Sequence, residues 1–353
     1  MSDHLAAVSI AGLERMAAET LSDDAFAYYS SGARDEFTQR ANRAAWDSWC
    51  FVPRVLIDSR SAKVATTILG TAVSSPIMVA PMAAQRMAHP DGELATARAA
   101  ARSGSIMVLS MSSSEPIETV AAIGGSLWLQ LYVSHDRTKL DSLIDRAAAA
   151  GAGAIVITVD SMLEASTHRR PHGSRDPAYP PLPMHPRGRM DHAIDWDFVA
   201  KLTSEVNMPI VLKGILSPSD GILAADTGCA AVIVSNHGGR QLDGAVTTAQ
   251  ALPDVVAAVN GRIETYVDGG IRRGGQVLKA LALGARAVLV GRPVLWGLAA
   301  AGEAGAFRAL DVLKTELGQD MRQAGVRSLD EVPRALVTMN MVTPPQGEPL
   351  RGQ

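Results

Sequence analysis

The chain has 353 residues with 33 basic and 36 acidic side chains, a formal net charge of -3, a balance that does not suggest a nucleic-acid partner. Hydrophobic residues make up 47%, enough for a substantial core, yet Arg, Asp, Gly or Pro interrupts every apolar run before the roughly 20 residues that a bilayer span needs, so no membrane attachment is expected. Cys50 and Cys229, the only cysteines, lie far apart without metal-ligand spacing; two free thiols in a reducing cytoplasm fit better than a disulfide framework, and the start Met1-Ser2-Asp3-His4 does not read as a signal peptide.

Residues 1–70 read as a helical and irregular approach, with Ala25 to Tyr29 leading into a Ser30-Ser31-Gly32 turn, and are expected to form a lid or a barrel floor. Short β-rich bursts then recur at Ile77 to Ala80, Met107 to Ser110, Leu127 to Tyr132, Ala154 to Asp160, Pro209 to Lys213, Ala231 to Ser235, Glu264 to Asp268 and Ala287 to Gly291. Between them, Gly92 to Ala101, Ile117 to Ala122, Thr138 to Ala150, Trp196 to Val206, Pro218 to Thr227, Leu252 to Val259 and Gly275 to Leu283 carry apolar residues at helical spacing. Residues 161–195 hold Pro171, Pro177, Pro180, Pro181, Pro183 and Pro186, which predicts a long flexible loop, either a mobile active-site cover or disordered. Ala304 to Gly325 reads as a further amphipathic helix and the Pro-rich tail as frayed.

Strand-helix alternation repeated eight times predicts an α/β fold of the (β/α)8 TIM-barrel class, with residues 1–353 as a single domain. The rival, a doubly wound open sheet, lacks a Gly-x-Gly-x-x-Gly turn after an early strand. In a TIM barrel, functional side chains follow the C-terminal strand ends. The bursts deliver Pro81, Met82 and Ala83, then Ser110, Gln130 and Tyr132, Thr158 and Asp160, Lys213, the stretch from Ser235 through His237 to Asp243, Asp268-Gly269-Gly270-Ile271-Arg272, and Gly291-Arg292. At a spacing of three, in a turn entering a helix, His237 and Arg240 would face one side, offering a base and a carboxylate clamp to one substrate. A helix cap with a solvated Arg is the plainer alternative. Gly269, Gly270 and Gly291 free backbone N–H groups to face an anion, and Arg272 and Arg292 add charge; each turn alone could be just a helix entry. If the anion is the phosphate of flavin mononucleotide (FMN), Lys213 would stabilise negative charge on the reduced ring while Gln130, Thr158 and Ser110 bond its heteroatoms.

The ordered motifs Tyr28-Tyr29-x-Ser31-Gly32-Ala33, Pro53-Arg54-Val55-Leu56, Gly92-Glu93-x-Ala95-Thr96-Ala97-Arg98, Gln130-Leu131-Tyr132, Thr158-Val159-Asp160, Lys213-Gly214, the stretch Ser235 to Asp243 and Asp268-Gly269-Gly270-x-Arg272 resemble those of the FMN-dependent 2-hydroxy acid oxidases and dehydrogenases, the group of glycolate oxidase, lactate oxidase and mandelate dehydrogenase. Val211 to Leu216 and Arg240 to Val246 look most like bacterial hydroxymandelate oxidases. The resemblance implies FMN as cofactor and oxidation of an (S)-2-hydroxy acid to the 2-oxo acid, with O2 or another acceptor taking the electrons. It implies His237 as base, Asp160 as its carboxylate partner, Arg240 as the carboxylate clamp, and Tyr28 and Tyr132 as phenols that bond the substrate. Pro81, Met82, Ala83, Ser110, Gln130, Thr158, Lys213, Ser235, Asp268, Gly269, Gly270, Arg272, Gly291 and Arg292 are implied on the cofactor, and a homotetramer is the family habit.

Departures refine these expectations. After Asp160 the chain reads Ser161-Met162-Leu163-Glu164-Ala165-Ser166-Thr167-His168-Arg169-Arg170, leaving Thr167 where relatives have a second carboxylate-gripping Arg, with Arg169 or Arg170 as candidates if the loop is longer. Met82 replaces a Thr, and Ser112 a bulky aromatic, which predicts a wider pocket for a larger or aromatic substrate side chain. His168, His172, His185 and His192 match no ligand spacing, and no metal is expected. Two other readings stay open: an FMN barrel of another reaction class, such as an isomerase, and a flavin-binding protein that has lost turnover.

Overall fold

A computed structural model describes residues 9–133, 136–161, 180–185 and 194–339. Eight parallel strands close into a barrel: β1 (Ile77–Val79), β2 (Met107–Ser110), β3 (Leu127–Leu131), β4 (Ile155–Thr158), β5 (Ile210–Ile215), β6 (Ala231–Val234), β7 (Glu264–Val267) and β8 (Ala287–Val290), each beside the next, with β8 pairing β1. All eight expected bursts are strands, and the open sheet is excluded. Side chains alternate across a strand, so each burst is apolar throughout for two reasons. Met78, Ile106, Val108, Trp128, Val156, Val211, Ile233, Tyr266 and Leu289 point inward and fill the barrel. Their neighbours Ile77, Val79, Met107, Leu109, Leu129, Ile155, Leu212, Val232 and Val288 point outward, into the layer under the helices.

That outer ring comprises α4 (Gly92–Ser103), α5 (Ile117–Ala121), α6 (Arg137–Ala149), α7 (Trp196–Glu205), α8 (Pro218–Asp226), α9 (Thr248–Val259), α10 (Gly274–Ala282) and α11 (Arg292–Gln323), after α1 (Ile10–Thr20), α2 (Asp23–Ser30) and α3 (Phe37–Asp47) in the approach segment. Two helices differ from expectation. The helix expected from Leu252 starts at Thr248, with Pro253 inside it. The helix expected from Ala304 is the second half of α11, which already begins at Arg292 and breaks at Ala301 and Gly302. Gly302 takes φ +58°, and a Cβ there would meet the His89 ring at 2.9 Å, so the break turns on a residue only glycine suits.

The approach segment closes both ends of the barrel. A hairpin of Thr66–Ile68 and Thr71–Val73 inserts Ile68, fully buried, into the interior cluster from below; Leu69 N donates to Glu264 Oε1 (3.2 Å) and Arg286 Nε to the Thr67 carbonyl (3.0 Å). At the C-terminal mouth lie α2 and α3. Ala33 N donates to the Gly239 carbonyl (2.8 Å) and Trp46 Nε1 to the Gly269 carbonyl (2.7 Å). Glu36 at the start of α3 gives no side-chain cap; the carboxylate of Asp243 substitutes, accepting Thr38 N (2.8 Å) and Asp35 N (3.2 Å).

Among the described residues no helix is long and apolar enough to cross a membrane. Truncating the floor plug, Ile68→Ala, removes buried contacts that the surrounding barrel cannot collapse to replace. It is expected to cost about 2–5 kcal/mol in denaturant unfolding; a loss under about 1 kcal/mol would show that the hairpin does not seal the barrel.

Candidate active site

The inward alternation does not stop where the strands end. Stepping two residues beyond the apolar positions gives Ser110, Gln130, Thr158, Lys213, Ser235, Asp268 and Gly291, a polar layer across the mouth; two further gives Met82, Tyr132, Asp160 and His237. Ser110 Oγ donates to Gln130 Oε1 (3.0 Å), and Gln130 Nε2 to Thr158 Oγ1 (3.0 Å). Lys213 Nζ donates to Ser235 Oγ (3.0 Å) and lies 3.5 Å from Asp268 Oδ2. Lys213 is only 3% exposed. Burial opposes its charge, but Asp268 and Asp160 outweigh that and hold the ammonium above the usual lysine range.

The β6 exit is not the helical turn that the spacing of His237 and Arg240 predicts. His237, Gly238 and Gly239 follow one another in the left-handed region, at φ +57°, +65° and +77°, and no helix begins until Thr248. The tight left-handed turn, with His237 N donating to Ser235 Oγ (3.0 Å), is what brings the imidazole back over the mouth. Its Nδ1 meets Asp160 Oδ1 at 2.9 Å. Gly214 makes room for this pair: it takes φ +117° at the β5 irregularity between Lys213 and Ile215, and a Cβ there would stand 2.6 Å from Asp160 Cβ. Burial works to raise the Asp160 carboxyl, but His237 and Lys213 prevail and hold it below the ordinary carboxylate range. Asp160 is therefore an anion at neutral pH, and its Oδ2 is buried without a hydrogen-bond partner among the described residues.

Around this pair stand Tyr28, Tyr132 and Arg240. Burial, with the nearby Asp160 charge, pushes Tyr132 far above the usual phenol range, so it is a neutral donor. Arg240 Nη1 donates to the carbonyls of Tyr28 (2.9 Å) and Ser31 (2.8 Å), and its guanidinium lies 5.2 Å from the Tyr28 ring centre. The lid thus orients both groups.

Arg272 and Arg292 follow β7 and β8 and line the same mouth. Gly269 and Gly270 turn at φ +92° and +83°. Arg292 donates only to carbonyls, those of Tyr29 (3.1 Å), Gly238 (3.2 Å) and Ser31 (3.0 Å), and Arg272 Nη1 to that of Ile271 (2.8 Å). Among the described residues no carboxylate pairs with either. Arg272 Nε is buried without a partner. Burial and the charge of Arg43 push Arg272 down to about 10; burial, with Arg240, Arg272 and Arg43, holds Arg292 well below its ordinary value. Two partly buried guanidiniums, one with a buried N–H that no described residue accepts, suit an anion.

One cavity of about 1150 Å³, open mouth included, is lined by these groups together. Its wall includes Tyr28, Pro81, Met82, Ala83, Ser110, Gln130, Tyr132, Thr158, Lys213, His237, Arg240, Asp268, Gly269, Gly270, Arg272, Gly291 and Arg292. Asp160 and Ser235 stand behind it, one against His237 and the other between Lys213 and the His237 amide. Arg169 lies outside the described residues, as do His168, His172 and His192. Ser112, expected to widen the pocket, is buried with its N–H on Ser110 Oγ (3.1 Å) and is not part of the wall. Gln241, inside the motif from Ser235 to Asp243 but given no role by its sequence, lines the cavity and donates to Ser161 Oγ (3.2 Å). Buried Glu93, likewise without an expected role, accepts the backbone N–H of Gln85 and of Ser114 on its Oε1 (both 2.9 Å) and so ties the loops after β1 and β2 together. Among the described residues no group of three or more His, Cys, Asp or Glu could hold a metal.

Residues 17–339 match the model of the FMN-dependent dehydrogenases. The chain belongs to that family. It is 41% identical over 348 residues to an L-lactate oxidase of Nostoc sp., with 90% of this chain and 94% of the relative covered. It is 44% identical over 342 residues to glycolate oxidase 1 of Zea mays, covering 91% and 93%. A solved mandelate oxidase with (S)-4-hydroxymandelic acid superposes with a TM-score of 0.85 at 40% identity, covering 95% of this chain and all of the other. This protein is accordingly an FMN-dependent oxidoreductase of the 2-hydroxy acid oxidase group.

The residues present fit FMN: the guanidiniums and glycine turns suit its phosphate, and the polar layer of Ser110, Gln130, Thr158 and Lys213 suits the edge of its ring. Arg272→Met should keep the fold but lose one charge-assisted contact, about 1.5–3 kcal/mol or roughly 10- to 150-fold in FMN Kd. Quenching of FMN fluorescence on titration reads this directly, and an unchanged Kd would move the phosphate elsewhere.

Proposed function

We propose that the protein oxidises an (S)-2-hydroxy acid with a bulky or aromatic side chain to the 2-oxo acid. The observation that carries this reading is the His237–Asp160 pair facing the same cavity as Tyr132, Arg240 and Lys213. FMN, when bound, supplies the two-electron acceptor and passes the electrons to O2 or another acceptor. The chain supplies the rest. Arg240 takes the substrate carboxylate in its planar fork, with Tyr28 beside it and Arg169 as a further candidate grip. Tyr132 donates to the carboxylate or hydroxyl. His237 accepts a proton as the CH–OH carbon becomes a carbonyl, and the ionised Asp160 on its Nδ1 stabilises the imidazolium that forms. Lys213 balances negative charge at the ring edge. The aromatic preference draws on the likeness to mandelate oxidase.

In this reading residues 1–353 act as one domain, the protein is a cytoplasmic homotetramer, and neither nucleic acid nor membrane is a partner. Anaerobic mixing with aromatic and aliphatic hydroxy acids tests the chemistry: the flavin band should bleach, fastest with aromatic acids. A loaded protein that no hydroxy acid bleaches would refute it. His237→Ala should keep FMN while bleaching slows by about three orders of magnitude or more. Arg240→Lys should lower kcat/KM by about 10²-fold or more, since an ammonium cannot reproduce the fork; parental kinetics would place the carboxylate elsewhere.

A further inference from the structure

We propose that Asn42, on the lid helix α3, is a positioning residue that registers His237 against the anion end of the cavity. The proposal rests on His237 being the base. Asn42 Nδ2 donates to Asn236 Oδ1 and Asn236 Nδ2 donates to Asn42 Oδ1, both at 2.8 Å. The two side chains are 1% and 5% exposed and 194 residues apart in sequence. Asn236 immediately precedes His237. Its Oδ1 also accepts Gly239 N (3.2 Å) and its Nδ2 donates to the Val246 carbonyl (3.1 Å), so its amide spans the left-handed turn and uses every hydrogen-bonding site it has.

The backbone of the same Asn42 lies on the other loop. A Cβ on Gly270 would fall on the Asn42 carbonyl, which places α3 in direct contact with the turn that carries Arg272. One residue therefore touches both ends of the site: its side chain holds the turn of the base, and its main chain rests on the turn at the arginines. Neither contact touches substrate or cofactor. Small displacements of a base cost large factors in rate, so the lid acts as the gauge between His237 and a ligand anchored at Arg272 and Arg292.

A carboxylate at position 42 can accept from Asn236 Nδ2 but cannot donate to its Oδ1; the protonated acid can do both. Asn42→Asp in the FMN-loaded protein should slow single-turnover flavin reduction by about tenfold or more at pH 8, with the variant-to-parent ratio climbing as pH falls, because dividing by the parent cancels the loss from protonating His237. Asn42→Ser, which cannot reach, should show the same slowing with a flat ratio. Amide exchange over residues 236–243 should quicken in both, while residues 231–234 stay protected. Thr38→Ala cuts other ties of α3, those of Thr38 Oγ1 with the Ala245 carbonyl (3.4 Å) and Gly244 N (2.8 Å); it should lower Tm but leave reduction at the parental rate. Parental reduction and exchange in Asn42→Ser would overturn the proposal even if Asn42→Asp does not fold. If His237→Ala also reduced flavin at the parental rate, the base assignment itself would have failed.

Discussion

Positive charge gathered at the mouth of the barrel is the constraint on which this molecule turns. Arg272 and Arg292 are partly buried at the exits of β7 and β8, bonded there to backbone carbonyls, and close enough to Arg240 and Arg43 to repel. Such an arrangement is costly unless an anion completes it. The glycines at 269 and 270, the lid pressed over them and the tryptophan of α3 bonded to Gly269 all serve to build that pocket. A phosphate held there would anchor FMN at Arg272 and Arg292, and Ser110, Gln130, Thr158 and Lys213 would be left to bond its ring.

The second half of the site is built on space rather than charge. Gly214 leaves the volume that Asp160 occupies, and the left-handed turn of His237 delivers the imidazole to it. A non-glycine residue at φ +57° is strained, and strain of this kind persists only where surrounding contacts hold it. Those contacts come from Ser235 below and from Asn236 and α3 above. The catalytic geometry thus depends on segments from both ends of the chain.

Much of this was legible in residues alone. Each barrel strand announced itself as a short apolar run ending in polar residues, because strands covered on both faces have no solvent side to break the run. Reading the residues at the C-terminal strand ends also gave the polar layer, and the inward alternation of the strands explains why those residues meet. The His237 turn was misjudged because three-residue spacing looks helical, and sequence carries no mark of the sign of φ at a non-glycine residue. The approach segment was offered as lid or floor and is both: residues 28–46 roof the mouth while Ile68 stoppers the base. Asn42 was invisible, since nothing local ties an amide to a partner nearly two hundred residues away. The first half of α11 was missed because Gly291-Arg292 drew attention as chemistry rather than as a helix start, although Pro293 sits where a helix tolerates proline.

The stopper at Ile68 has a kinetic corollary. Among the described residues the far end of the barrel is plugged by a buried side chain, so reactant and product would both pass the mouth beneath α2 and α3. The ketone would then leave by the side on which the alcohol entered, and an electron acceptor larger than a gas molecule would meet the flavin from there. Passage through that entrance would then stand beside the chemistry among the steps that pace successive cycles.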